Sequence, residues 1–181
     1  MTQANDEFVS IFNEVYPNLC RFLESMLGGD GAAQDIAQES FLRLHRLGLS
    51  RIAAGEARFW LFRVARNLAL NEMAKKQTRM RFIDKIVELF HKPLPTPEDI
   101  AGQAERREKL FELLGELAEP QRAALLLREQ QEMSYSEIAV VLNVSPGKVK
   151  SDIFRARSLL REKWNDLHKP LSPTLPERIG S

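Results

Sequence analysis

Positively charged side chains on one side of a predicted helix are the part of this sequence best suited to chemistry with nucleic acid. Between Pro146 and Trp164 there are six lysines and arginines against two acidic residues. Lysine and arginine neutralise phosphates, and an arginine also binds a guanine edge through two hydrogen bonds. A solvated amphipathic helix, the alternative, does not need this bias. The polar side of the predicted helix carries Lys148, Lys150, Ser151, Arg155 and Arg157.

Two helices joined by a tight turn are predicted to position these side chains. Ser134 and Glu137 have the capping-box spacing, in which each side chain accepts a hydrogen bond from an otherwise unpaired backbone N–H. Asn143 tolerates the left-handed backbone that ends a helix, and Ser145-Pro146 supplies an N-cap and a proline at the first helical position. These signals predict a helix-turn-helix. Its core-facing residues are expected to be Ile138, Ala139, Val141 and Leu142, then Val149, Ile153, Ala156 and Leu160.

Charge alternates along the chain although the formal net charge is only +1. Residues 51–92 carry ten cations and four acids, whereas residues 1–50 and 93–119 each carry three cations and seven acids. Such alternation predicts separate surfaces for different partners. Within the cationic stretch, Trp60 and Phe62 are expected to lie in the core rather than to stack on bases.

Composition limits the classes of protein to which the chain can belong. Its single cysteine, Cys20, permits no intramolecular disulfide, is expected in the core, and fits a reducing, cytoplasmic setting. The longest apolar run is 123–127, and the polar start lacks a signal peptide's charge pattern, so membrane insertion is not expected. The three histidines (His45, His91 and His168) are scattered, and neither metal-ligand spacing nor a phosphate-binding loop occurs. We therefore expect no enzymatic activity, no metal and no cofactor.

Helical periodicity without strand-like alternation predicts an all-α fold of two small domains. The predicted boundaries are an N-terminal helical bundle at 8–90, a linker at 91–104, a helix-turn-helix domain at 105–168 and a flexible tail at 169–181. In the bundle we expect helices ending near Leu27 and Gly48, a third through 59–62, a fourth from about Leu68 and a short one at 82–90. The linker contains three prolines, and about 15 extended residues span about 50 Å. That length would allow the domains to reach separate stretches of DNA.

Three motifs occur together in this order. They are Asp35 to Leu44 (DIAQESFLRL), Phe59 to Asn71 (FWLFRVARNLALN), and Leu117 through Pro120-Gln121-Arg122 into the helix-turn-helix. In this combination the chain resembles bacterial sigma factors of the sigma-70 family, specifically the two-domain extracytoplasmic-function group. The resemblance covers nearly the whole chain. It implies a transcription initiation factor that binds core RNA polymerase, directs it to a promoter with minus-35 and minus-10 elements, and helps melt the minus-10 element.

The first motif is similar to the family's docking helix for the clamp of RNA polymerase. On a helix its polar residues form one stripe, while Ala37, Phe41 and Leu44 can face the bundle. An acidic and polar stripe with one exposed leucine suits a basic, partly apolar partner helix, although a solvated face is the alternative. The expected polymerase-binding residues are Asp35, Gln38, Glu39, Leu42 and Arg46.

The second motif is similar to the segment that opens and reads the minus-10 element. There Asn67 matches the family's base-reading position for a flipped base, and Asn71 follows one turn later. A helix cap or a solvated amide is the alternative for both. Arg63, Arg66, Lys75, Lys76 and Arg79 are expected to contact the phosphates of the DNA backbone.

The third motif resembles the reader of the minus-35 element. Lys150, Ser151, Phe154 and Arg155 match its DNA-facing positions, and Lys148 lies beside them. Asp152 departs from the family pattern, since many relatives have a basic residue there. It could accept a hydrogen bond from a cytosine or turn towards Lys148 or Arg155.

Three other functions are open to a sequence of this kind. A helix-turn-helix regulator would bind duplex DNA without polymerase, an enzyme would need distant residues to converge, and an interaction module would not need the recognition-helix cations. The resemblance also leaves room for an anti-sigma factor that holds the two domains closed.

Overall fold

The computed structural model describes residues 2–29, 31–53, 55–87 and 101–167, and within these every regular element is helical. The N-terminal part contains α1 (Thr2–Leu27), α2 (Ala33–Leu47), a 3-10 turn (Leu49–Arg51) and α3 (Ala57–Val87). The C-terminal part contains α4 (Ala101–Gly115), α5 (Glu119–Glu129), α6 (Tyr135–Leu142) and α7 (Pro146–Leu167). The all-α prediction is confirmed. The greater part of the predicted linker, as well as the tail, His91 and His168, lies outside the described residues.

Helices α1, α2 and α3 form the N-terminal bundle. Leu19, Phe22 and Leu23 of α1 are buried against α2 and α3, and the rings of Phe22 and Phe62 meet edge to face with centroids 5.4 Å apart. Phe62 is fully buried and Trp60 packs against the core, as predicted for both aromatic residues. Cys20 is only partly buried at the edge of this core, where burial raises the pKa of its thiol.

Helix α3 differs from the prediction. The sequence indicated separate helices through 59–62, from Leu68 and at 82–90, but one helix runs without a break from Ala57 to Val87. This stretch contains no glycine or proline, and Leu61, Phe62, Ala65 and Ala69 bury one continuous side of it. Between Leu61 and Ala69 the helix therefore presents its remaining sides in a fixed geometry.

The start of α5 contains a proline. The helix begins at Glu119, and Pro120 lies in its first turn. A proline is tolerated there because the N–H that it lacks would have no helical partner. Glu119 lies in the same turn, where the positive end of the helix dipole favours a carboxylate.

The two helical groups pack against each other. Helix α3 lies on α6, α1 lies on α4 and α5, and the buried apolar residues of both groups form one continuous cluster. The extended linker suggested by the sequence would permit separation of the domains, but in this structure they are closed on one another.

Candidate nucleic-acid interface

The helix-turn-helix has the caps that the sequence predicted. The backbone N–H of Glu137 donates to Ser134 Oγ at 3.2 Å, and the N–H of Ser134 donates to Glu137 Oε2 at 2.7 Å. The second of these bonds holds the pKa of the Glu137 carboxyl below its usual value. Asn143 ends α6 in the left-handed conformation, with φ 54° and ψ 51°. Ser145 Oγ then accepts from the N–H of Lys148, so α7 leaves the turn at a fixed angle.

Helix α7 separates its apolar and polar sides as predicted. Val149, Ile153 and Ala156 are buried, and Leu160 is partly buried against the same core. Lys150, Ser151, Phe154 and Arg155 are exposed on the other side. Phe154 is 70% exposed, which is unusual for a large aromatic side chain in a packed domain. This side offers two cations, a hydroxyl and an apolar ring to a partner.

Asp152 lies on the buried side of α7. It is 2% exposed, and its carboxylate accepts hydrogen bonds from Lys148 Nζ, whose side chain is 50% exposed. Of the orientations left open by the sequence, the structure has the turn towards Lys148, and a contact with cytosine is not available from this position. The ammonium group of Lys148 is therefore paired with a residue of its own helix. Arg157 is similarly paired with Glu129 of α5, which raises the pKa of its guanidinium.

A second polar stripe runs along α3. Arg63, Asn67, Asn71 and Lys75 recur every four residues, so they follow one side of the helix over about 18 Å. Asn67 and Asn71 are exposed, and Lys75 makes a 3.7 Å ion pair with Glu72. Lys76 is exposed as well, while the side chain of Arg79 lies outside the described residues.

The arginines in the N-terminal part of α3 are in contact with the C-terminal domain. Arg66 forms a two-pronged ion pair with Glu119 of α5, in which Nε and Nη2 each lie 2.7 Å from a carboxylate oxygen. Arg63 donates to the carbonyl of Val140 in α6. Arg58, which the sequence did not single out, donates to the carbonyl of Gln131 at 2.8 Å. Among the described DNA-binding cations predicted on α3, Arg63 and Arg66 thus contact the C-terminal domain, whereas Lys75 and Lys76 are exposed.

The stripe predicted on α2 is also present. Asp35, Gln38, Leu42 and Arg46 are exposed, with Leu42 at 51%, whereas Ala37, Phe41 and Leu44 are buried. Glu39 makes a 2.8 Å ion pair with Arg43, and this hydrogen bond lowers the pKa of its carboxyl.

A groove of about 550 Å³ separates α2 from α3. Asp35 and Glu39 line one wall, and Asn71 and Lys75 line the other. The groove therefore brings the predicted polymerase-binding and minus-10 stripes side by side, which their separation of more than 30 residues in the sequence did not indicate.

Several residues at the contact between the domains were not identified from the sequence. Arg122 is 8% exposed and donates to the carbonyl of Met26 at 2.8 Å; burial lowers the pKa of its guanidinium. Gln130 donates to Ser25 Oγ, and Gln131 donates to the carbonyl of Asn18.

Two further properties concern only the described part of the chain. None of its helices is both long and apolar enough to cross a membrane. It contains no group of three or more histidine, cysteine, aspartate or glutamate side chains arranged to hold a metal ion.

Comparison with known proteins identifies two regions of the sigma-70 family in this chain. Residues 11–79 match the family model of sigma-70 region 2, and residues 107–160 match that of sigma-70 region 4. The chain is 32% identical over 162 residues to the ECF RNA polymerase sigma factor SigM of Bacillus subtilis, covering 88% of this chain and 94% of the relative. It is 35% identical over 156 residues to the RNA polymerase sigma-H factor of Pseudomonas aeruginosa, covering 80% of this chain and 76% of the relative.

A solved structure has the same fold. The sigma factor RpoE of Bartonella quintana, crystallised with the anti-sigma factor NepR, aligns with a TM-score of 0.68 at 24% identity, covering 88% of this chain and 97% of that one. The two family regions, the identity with whole sigma factors and the shared fold agree with each other. The chain belongs to the extracytoplasmic-function group of sigma-70 RNA polymerase sigma factors, which are promoter-directing transcription initiation factors.

Proposed function

We propose that this protein brings core RNA polymerase to a two-element promoter through three sets of exposed residues, one on each of α2, α3 and α7. The observation that carries the proposal is the division of α7, where Val149, Ile153 and Ala156 are buried while a cationic face remains exposed. That face stands on a helix held by a capped turn, which is the arrangement that enters a major groove.

The α7 face would read the minus-35 element as duplex DNA. Arg155 and Lys150 are suited to guanine edges and phosphates, Ser151 to a phosphate or a base, and Phe154 to a thymine methyl group. Lys148 would contribute less than a free lysine because its ammonium is paired with Asp152.

The α3 stripe would hold the non-template strand of the minus-10 element. The exposed amide of Asn67 can both donate to and accept from the edge of a flipped base, and Asn71 lies one turn further on. Arg63, Arg66, Lys75, Lys76 and Arg79 would bind phosphates and position the strand without reading its sequence.

The α2 stripe would dock on polymerase. Asp35, Gln38, Glu39 and Arg46 offer polar contacts around the exposed side chain of Leu42. A desolvated leucine within a charged rim is a common arrangement in interfaces between proteins.

The remaining parts of the proposal concern partners and setting. The chain would catalyse no reaction itself, since nucleotide transfer belongs to the polymerase, and it would act in the cytoplasm, where polymerase and promoters occur. An anti-sigma factor is a proposed partner, by analogy with the relative crystallised with NepR. No cofactor is part of the proposal.

The proposal is tested by a pull-down of core RNA polymerase with the purified protein, followed by run-off transcription on fragments of its own genome. Specific transcripts that require the protein would support it and would identify the promoter. Tight binding to duplex DNA without association with polymerase would instead favour a helix-turn-helix regulator.

A further inference from the structure

We propose that Tyr16 of α1 is a positioning residue for polymerase docking, which holds the side chain of Gln38 in the α2 stripe in the orientation that its partner binds. The inference rests on the proposed function, because it takes Gln38 as one of the residues that contact core RNA polymerase. Tyr16 itself is only partly exposed and was not identified from the sequence. Its role would be to set the geometry of an exposed neighbour on another helix.

The ring of Tyr16 is in contact with two phenylalanine rings. Phe12, one turn earlier on α1, is stacked on it, with centroids 4.7 Å apart and ring planes at 21°. Phe41 of α2 is tilted against it at 5.9 Å and also meets the ring of Phe12 at 5.0 Å. Phe41 is buried, at 4% exposure, so this cluster is anchored in the bundle. A planar side chain that packs on two other rings has few open rotamers, and the direction of the Tyr16 hydroxyl is therefore fixed.

The hydroxyl of Tyr16 links α1 to α2. It forms hydrogen bonds with the thiol of Cys20, one turn further along α1, and with the side-chain amide of Gln38 on α2. Burial, followed by the neighbouring thiol, raises the pKa of this hydroxyl, so it keeps its proton. A neutral phenol donates one hydrogen bond and accepts another, which matches donation to Cys20 Sγ and acceptance from the amide of Gln38.

Gln38 is the kind of side chain that gains from such a contact. It is exposed on α2, three residues after Asp35 in the same stripe. A glutamine has three rotatable side-chain bonds, and immobilising a side chain of this kind at an interface lowers affinity by about two- to tenfold. A side chain that is already held in its bound orientation avoids most of that loss. The bond to Tyr16 would therefore prepare Gln38 for docking.

Positioning and packing belong to different atoms of Tyr16. The ring makes the contacts with Phe12 and Phe41, whereas the hydroxyl makes the bond to Gln38. Tyr16→Phe therefore removes the proposed role and retains the ring contacts. Tyr135→Phe is the matched control, because the chain's other tyrosine lies on α6, outside the α2 stripe, and loses the same hydroxyl.

The first measurement follows Gln38 in the free protein by nuclear magnetic resonance. The side-chain amide signal of Gln38 in isotopically labelled full-length protein is assigned by its loss in Gln38→Ala. In Tyr16→Phe we expect this signal to move towards that of a free glutamine and to report greater mobility, whereas Tyr135→Phe should leave it unchanged. An unchanged signal in Tyr16→Phe would overturn the inference without involving polymerase.

The second measurement is a double-mutant cycle on binding to core RNA polymerase. Wild type, Tyr16→Phe, Gln38→Ala and the double variant carry a fluorophore at the N-terminus, because the single cysteine, Cys20, belongs to the cluster. Each is titrated with core enzyme and followed by anisotropy, and its thermal unfolding shows whether the fold is retained. We expect Tyr16→Phe to weaken binding about two- to tenfold and to have no further effect when Gln38 is alanine.

The outcomes separate this inference from the proposed function. If Gln38→Ala weakens binding but Tyr16→Phe has no effect, or has the same effect in both backgrounds, Gln38 contacts polymerase and the positioning role of Tyr16 is refuted. If Gln38→Ala binds normally, Tyr16 has no polymerase contact to position and the inference also fails. Asp35→Lys then decides separately whether the α2 stripe docks on polymerase.

Discussion

Replacing Asp152 by asparagine tests the role of this buried acid in the recognition helix α7. The carboxylate is 2% exposed and holds the ammonium of Lys148, which is otherwise half exposed. An amide of the same shape still accepts one hydrogen bond but no longer offsets the lysine's charge. Lys148 then becomes a full cation at the edge of the DNA-binding face.

The expected change is in salt dependence rather than in sequence preference. One additional phosphate contact makes the slope of log affinity against log salt steeper by about 0.9. Between 50 and 200 mM salt this corresponds to about 3.5-fold extra loss of affinity, starting from tighter binding at low salt. The free energy of unfolding should fall by only about 1 kcal/mol, since loss of the charge-assisted bond is partly offset by removal of a buried charge.

Fluorescence anisotropy with a minus-35 duplex, titrated with salt, measures the slope. The same measurement on duplexes altered one base pair at a time measures sequence preference. Glu162→Gln is the control, since it removes an exposed acid from the same helix. A loss of about 1–3 kcal/mol at a single base pair in Asp152→Asn would mean that Asp152 reads a base, and the buried-pair explanation would be wrong.

Four further outcomes are expected. Asp35→Lys or Glu39→Lys should weaken binding to core polymerase at least tenfold in a pull-down titration, because each reverses a charge on the exposed α2 stripe, whereas Glu105→Lys on α4 should not. Asn67→Ala should leave polymerase binding intact and lower the yield of open complexes, measured by permanganate reactivity of unpaired thymines, with Asn13→Ala as control; a normal yield would exclude Asn67 from the base pocket. Lys150→Ala with Arg155→Ala should reduce minus-35 duplex affinity by about 10² or more and make its salt slope shallower by about 1.8, whereas Arg161→Ala should have a much smaller effect; unchanged binding would favour an interaction module. The pKa of Glu137 is lowered on folding, so its contribution to stability should be complete above about pH 4.3 and should be lost as pH falls through the folded value. Between pH 7 and 3 the melting temperature of Glu137→Gln should therefore fall less than that of the wild type. Equal falls in the two proteins would contradict this prediction.

The helix-turn-helix was predictable because its signals are local. Ser134 and Glu137 are three residues apart, and Ser145-Pro146 caps the helix that it begins. Each of these contacts is made within one turn of helix, so the sequence contains both partners at a fixed distance. The same holds for the polar and apolar sides of α7, which follow from helical spacing alone.

The burial of Asp152 was not predicted from the sequence. It follows Val149 by three residues and precedes Ala156 by four, which places it on the buried side of the helix by spacing alone. The residue type, an acid, suggested a polar surface instead. A lysine four residues earlier supplied the partner that makes its burial tolerable.

The contact between the domains could not be predicted in this way. Arg66 and Glu119 are 53 residues apart, and Arg122 and Met26 are 96 apart. No local rule selects these pairs among the many arginines and acceptors of the chain. Their geometry depends on how the two packed cores meet, which spacing along the sequence does not encode.

The contact between the two domains gives the alternation of charge along the chain a second interpretation. The cationic stretch 51–92 and the acidic stretch 93–119 were interpreted as surfaces for different partners, yet Arg66 of the first is paired with Glu119 of the second. An intramolecular partner tethered by a short linker is present at an effective concentration of the order of millimolar. Free DNA phosphates at lower concentration compete poorly with it for the same guanidinium.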